Sequence, residues 1–242
     1  LVPFSSAEKA CEAVSAVFCA GITPSALEFI ERDAIDWTLK YTDVEIAIHD
    51  DVKAHLLVEV DGNDMELLYK DCEKIAEVME RFECGEILLA DSESQKEQLW
   101  KLRRAIGEAV KVNSVYKEED TVVPRAELPK LLKGVKAIGE AHGFKSICYG
   151  HAGDGNLHIN IIKGEMSAND WNNKLPLGIR EIFELTKSLG GTLSGEHGIG
   201  LVQKNYMDIV FSKKALDLQK GIKYLFDPNQ ILNPGKIFNT KI

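Results

Sequence analysis

The sequence predicts an α+β fold in which helices pack on one face of a largely antiparallel sheet, and three observations carry that expectation. Amphipathic runs with a helical period open at serine capping patterns. Short aliphatic runs with a period of two lie between them. The segment Tyr149-Gly150-His151-Ala152-Gly153-Asp154-Gly155-Asn156-Leu157-His158 makes a tight reversal, which suits an antiparallel pair better than a doubly wound parallel sheet.

The elements follow in order. Ser5-x-x-Glu8 reads as a capping box for a helix whose Ala7, Ala10, Cys11, Val14, Val17 and Phe18 share a face, with Gly21 closing it. An extended stretch is expected at 26–30, a strand at 55–60, a turn at Asp61-Gly62-Asn63, a helix at 64–82 and a short strand at 86–90. Ser94-x-x-Glu97 then opens a helix through Leu99, Leu102, Ile106 and Val110. An extended 115–123 leads through Pro124 to a helix at 126–140 and on to the histidine-bearing strand pair. A helix at 169–188 ends at Gly190-Gly191, and the last one runs from about Ser212 to Asp227-Pro228.

Composition narrows the function classes. With 45% hydrophobic and 28% charged residues over 242 positions, the chain can bury a sizeable core. Its net charge is -9 and its basic residues are interspersed with acids, so nucleic acid is a poor partner. No apolar run reaches the roughly 18 residues that a transmembrane helix needs. Five cysteines without a C-x-x-C pair read as buried thiols of a reduced, cytoplasmic protein. The chain opens Leu1-Val2-Pro3-Phe4, with neither an initiator methionine nor a signal region, so it is expected to be a piece of a longer polypeptide. Dinucleotide, phosphate-loop, zinc-helix and nucleophile-elbow motifs are all missing.

The chemistry concentrates in two segments. Gly153, Asp154, Gly155 and Asn156 tolerate the left-handed backbone of a tight turn, which leaves His151 and His158 at its two mouths. Alternation along the second strand sends Leu157, Ile159 and Ile161 to the core and His158 with Asn160 to the other face. Ser194-Gly195-Glu196-His197-Gly198 adds a third imidazole beside a carboxylate. Together they supply the inventory of a His/His/Glu metal site. His49, His55 and His142 take structural readings, His142 as a cation suited to a helix carboxyl end.

Three ordered motifs, Gly150-His151-Ala152-Gly153-Asp154-Gly155-Asn156-Leu157-His158, Gly195-Glu196-His197-Gly198-Ile199-Gly200 and the 226–236 segment FDPNQILNPGK, closely resemble the carboxy-terminal domain of FAD-linked oxidases in the vanillyl-alcohol oxidase superfamily. Trp100-x-x-Arg103 and Glu119-Asp120-Thr121-Val122-Val123-Pro124 are similar as well. The nearest types are glycolate oxidase, D-lactate dehydrogenase and D-2-hydroxyglutarate dehydrogenase. The resemblance implies a ferredoxin-like cap that closes over FAD held by an amino-terminal domain of the same polypeptide, with further redox subunits in some members. By its pattern, 1–206 is the cap and substrate-binding domain, and 207–242 is a helix and tail returning toward the FAD-binding domain.

The same resemblance implies His151, His158 and Glu196 as metal ligands and His197 as catalytic base. Zinc is favoured, and manganese and iron suit the same donors. Arg103, Lys117 and Asn160 are implied as substrate-binding residues and Asn233 as a cofactor contact. One position departs from the pattern: a threonine of the hydroxyglutarate enzymes falls on Gly107, which leaves lactate or glycolate at least as good a small 2-hydroxy-acid substrate. A stand-alone metal hydrolase and a noncatalytic interaction subunit are the competing readings of the same residues.

Overall fold

The computed structural model describes residues 1–239 except 45 and 47. Its centre is an antiparallel six-stranded sheet with β1 (Val2–Phe4), β2 (Ala26–Glu31), β3 (Ala54–Glu59), β4 (Tyr116–Val122), β5 (Lys145–Gly150) and β6 (Asn156–Ile162). The spatial order is β1-β3-β2-β5-β6-β4, and every pairing is antiparallel. The α+β class and the antiparallel sheet are therefore as expected.

The main helical layer covers one face. It comprises α1 (Ala7–Cys19), α3 (Met65–Glu80), α5 (Leu128–His142), α6 (Ala168–Asn173) and α7 (Leu175–Ser188). Leu27, Phe29, Leu56, Leu157, Ile159 and Ile161 of the sheet meet Val14, Val17, Leu131, Val135, Ile182 and Phe183 of those helices in one apolar cluster. Burying each such side chain contributes roughly 1.5–3 kcal/mol, so this face holds the fold together. Two further helices, α2 (Arg32–Tyr41) and α4 (Glu93–Asn113), cover part of the opposite face, where Ile30, Ile147 and Tyr149 pack on Ile35, Ile106 and Val110. That second layer is an addition to the one-sided arrangement expected, and α2 had no counterpart in the sequence reading.

Local chemistry corrects several boundaries. The first helix is capped by Ser6, whose Oγ accepts from the Lys9 amide, and not by Ser5. Ser92, and not Ser94, caps α4 by accepting from Gln95. The expected strand at 86–90 does not form. The Gly85 amide donates to Pro3 and the Leu88 amide to Leu1, so three residues on one side span two on the other and no regular ladder can propagate. The expected single helix at 169–188 is broken between α6 and α7, because Pro176 sits in the first turn of α7 and lacks an N–H to continue the earlier ladder. Beyond it, α8 (Met207–Val210) buries Met207 and Ile209 against the body, whereas α9 (Lys213–Phe226) buries no residue.

Candidate metal and substrate site

The β5–β6 connection is a single 3-10 turn, Ala152–Asp154, closed by Gly155 in the left-handed conformation at φ 75°. A Cβ on Gly155 would also lie 1.9 Å from the Val123 carbonyl oxygen, so only glycine fits on both counts. The amides of Asp154 and Asn156 both donate to the His151 carbonyl, at 2.9 and 3.2 Å. The turn therefore fixes the backbone of the first histidine directly. On β6 the expected alternation holds: Leu157, Ile159 and Ile161 enter the helical core, while His158 and Asn160 face the other way.

The Glu196 segment reaches the histidines by running beside β4. Val122 and Thr192 exchange backbone hydrogen bonds, and the Gly195 amide then donates to the Asp120 carbonyl at 3.1 Å. Asp120, fully buried, gathers the rest: its Oδ2 accepts from the Glu196 and His197 amides at 2.8 Å each and from Ser194 Oγ at 3.1 Å, and its Oδ1 accepts from Asn156 Nδ2 at 2.6 Å. Burial opposes the ionisation of Asp120, but those donated bonds outweigh it and hold the carboxyl below the usual value. A Cβ at Gly195 would stand 2.0 Å from Asn156 Nδ2, so the close approach again requires glycine.

Three of the expected donors converge. Glu196 Oε1 lies 3.5 Å from His151 Nε2 and 3.4 Å from His158 Nε2, and these three groups meet the geometric requirement for a shared ion. Donors at about 2.0–2.1 Å from a tetrahedral ion stand roughly 3.3 Å apart, so the donor types and their two distances to Glu196 suit zinc; Glu118, His158 and His197 form a second group of the same kind. His197 stacks on His158, with ring centroids 5.1 Å apart at 21°, and its Nε2 is 3.8 Å from the same carboxylate oxygen. Burial lowers the His158 pKa to about 4, against the pull of Asp120, so its ring is neutral at pH 7 and able to bind a cation.

Glu28 was not foreseen. It lies buried on β2, where Phe29 pairs with Gly150, and its Oε1 meets His151 Nδ1 at 2.9 Å. That contact raises the His151 pKa, the hydrogen bond to Glu28 being the largest cause. It also leaves His151 Nε2 directed at Glu196, the arrangement by which a carboxylate orients a metal-binding imidazole. Glu28 Oε2 holds Arg103 as well, with Nε at 2.8 Å and an Nη at 2.7 Å, and the guanidinium sits 4.9 Å from the Tyr149 ring centroid. Arg103 thus borders the site, with its charge already matched by Glu28.

Asn160 is fully buried on the site face; the Tyr149 hydroxyl lies beside its amide, but no contact of either amide atom meets full hydrogen-bond geometry. A buried amide left unpaired costs on the order of 1–3 kcal/mol, so this one has capacity for a further polar contact. Glu118, opposite Asn160 in the β4–β6 register, brings its carboxylate within 3.6 Å of His158 Nδ1 and was also missed.

Lys117 is a correction. It pairs with Ile161 and so points to the helical side of the sheet, where its Nζ lies 5.9 Å from the Trp171 ring centroid, away from the histidines. Asn233 stands in the tail beyond α9, with φ 47° and its Oδ1 accepting from Lys236, and no hydrogen bond joins it to the cluster. Of the histidines given structural readings, His142 ends α5 and meets Glu181 at 2.9 Å. Among the described residues, no helix is long and apolar enough to cross a membrane.

Comparison with known proteins identifies the family and the fold. The family model for FAD linked oxidases, C-terminal domain, matches residues 1–237. A D-lactate dehydrogenase of Anaerostipes hadrus is 31% identical over 242 residues, covering 98% of this chain and 51% of that protein. The glycolate oxidase subunit GlcD of Bacillus subtilis (strain 168) is 32% identical over 239 residues, covering 98% of this chain and 50% of that protein. The chain thus spans about half the length of these relatives. A solved 4-ethylphenol oxidase from Gulosibacter chungangensis shares the fold with a TM-score of 0.64 at 14% identity, over 98% of this chain and 52% of that one. On motifs, fold and family match together, the chain belongs to the FAD linked oxidases, as a C-terminal domain of that family.

Proposed function

We propose that this chain is the substrate- and metal-binding C-terminal domain of an FAD-dependent 2-hydroxy-acid dehydrogenase or oxidase of the glycolate or D-lactate type. The observation that carries the reading is the convergence of His151 Nε2 and His158 Nε2 on one oxygen of Glu196, at 3.5 and 3.4 Å, in a chain of this family. His151, His158 and Glu196 would hold a divalent metal, zinc by preference, and three protein ligands leave positions open for a hydroxy acid. When bound, the metal supplies Lewis acidity to the α-hydroxyl, and FAD, held by an amino-terminal half of the polypeptide, supplies the two-electron acceptor.

The residues of the chain do the rest. His197 accepts the α-hydroxyl proton on an imidazole nitrogen as the α-hydride leaves, and the alcohol becomes a ketone or aldehyde. Asn160 offers the substrate a neutral amide with capacity for a further polar contact. Arg103 contributes positive potential for the α-carboxylate, anchored by Glu28. The tail around Asn233 packs toward the flavin-binding half, and partner redox subunits are compatible with this arrangement.

The test is turnover. The chain, expressed together with its flavin-binding half, is assayed with D-lactate and glycolate and a dye acceptor, and its metal is measured on the same sample. Dye reduction that is lost to chelator and restored by zinc is expected. Failure to oxidise any 2-hydroxy acid, or turnover by the isolated chain without FAD, overturns the reading.

A further inference from the structure

We propose that Glu118 sets the specificity of this pocket: it excludes a second carboxylate, so the site takes 2-hydroxy monocarboxylic acids and rejects 2-hydroxy dicarboxylic ones. The inference rests on the 2-hydroxy-acid reading given above.

The argument is one of unmatched charge. Four carboxylates lie against the histidines, those of Glu28, Glu118, Asp120 and Glu196. Glu28 is engaged by Arg103 and His151, Asp120 by backbone amides and Asn156, and Glu196 lies between the two histidines. Glu118 pairs with no lysine or arginine among the described residues; its neighbours are the neutral His158 ring, with Nδ1 at 3.6 Å, the Tyr149 hydroxyl and the His197 ring. Its carboxylate, His158 and His197 present atoms within 4.8 Å of one another, which places the acid beside the proposed base.

Among the described residues, no lysine or arginine side chain is placed to offset it. Lys117 faces Trp171 across the sheet, Arg104 folds over Trp100, and Lys101 is bound to Asp43. The remaining wall is neutral: the Tyr149 ring, the Asn160 amide, and Gly107, where an added Cβ would approach the Tyr149 hydroxyl at 3.3 Å. A substrate's α-carboxylate would have the metal, with Arg103, paired to Glu28, at the border of the site. A distal carboxylate would meet Glu118 at close range in a partly desolvated pocket, where like charges repel strongly. A short apolar or hydroxylated tail meets no such opposition.

Binding of product analogues tests this without turnover. Calorimetry on the zinc-loaded chain with its flavin-binding half compares 2-oxovalerate with 2-oxoglutarate, which have equal carbon counts and differ by one terminal carboxylate. The unmodified protein is expected to bind 2-oxovalerate at least about tenfold more tightly, with the ratio shrinking as ionic strength rises. Glu118→Gln should bring the two within about threefold, and Glu118→Lys should reverse their order. Equal affinities in the unmodified protein, or an unchanged ratio in Glu118→Gln, overturn the proposal. The unmodified protein and its salt dependence decide the matter even if a variant fails to fold. Discrimination in binding without turnover sinks the redox reading and leaves the role of Glu118 standing; turnover without discrimination does the reverse.

Discussion

The two faces of β6 are built from alternate residues of one seven-residue strand, yet they answer to different demands. Leu157, Ile159 and Ile161 enter a closed apolar layer in which each added contact stabilises the fold. On the other face His158 and Asn160 are just as inaccessible, but they carry polar atoms without partners. One face is apolar and closed; the other holds buried polar atoms that no described residue pairs. The difference teaches that burial alone does not separate core from site on this strand.

Substitutions on each face can break or sharpen that contrast. The largest effect is expected from Glu196→Gln on the site side: metal content should fall to background and turnover by at least about a thousandfold, with the melting temperature of the metal-free protein little changed, since removing a ligand should exceed the 10–100-fold typical of supporting residues. Ile159→Ala on the core side should cost about 2–5 kcal/mol in denaturant unfolding with metal affinity retained. If it abolished metal binding at full stability, the division between faces would fail.

Next comes Glu119, which lies on the core side near Gln203, Lys117 and Tyr206; burial pushes its carboxyl up to about 7. The folded state holds a proton that the unfolded chain, with its ordinary value of 4.5, has lost. Stability should therefore fall as pH rises from 4.5 to about 7 and level off above, by on the order of 3 kcal/mol. Glu119→Gln should remove that slope in urea titrations run from pH 4 to 8. Glu28→Gln should weaken zinc affinity by about 10–100-fold through the loosened His151 ring, read by competition with a chelator. The smallest effect belongs to Lys117→Ala, for which kcat/KM should change less than about threefold, because its ammonium faces Trp171. A large loss there would contradict the register of β4.

Much of this was legible from sequence where a strict period governs. The alternation Leu157-His158-Ile159-Asn160-Ile161 assigned both faces of β6 correctly, because aliphatic residues mark every second position. Lys117-Glu118-Glu119-Asp120 carries no such marks: four charged residues in a row leave the register undefined, and only pairing with β6 turns Glu118 and Asp120 to the site and Lys117 away from it. Glu28 was hidden for a different reason. It is 123 positions from His151 and meets it only through the β2–β5 pairing. A charge set within Ala26-Leu27-Glu28-Phe29-Ile30 was the available signal, since carboxylates inside apolar strands are buried only when paired. The helix starts differ because neighbouring serines, Ser5 beside Ser6 and Ser92 two positions before Ser94, compete for the cap, and the ones that take extended backbone hold it.

The carboxylate of Asp120 accepts the amides of both Glu196 and His197 on a single oxygen. A proposed ligand and a proposed base, adjacent in sequence, are thereby suspended from the same atom. Their positions form one degree of freedom and not two: any displacement of β4 carries both together and preserves their spacing. Fine adjustment of the base relative to the ligand is left to side-chain torsion alone, and for His197 that torsion is limited by the face of His158 stacked against it.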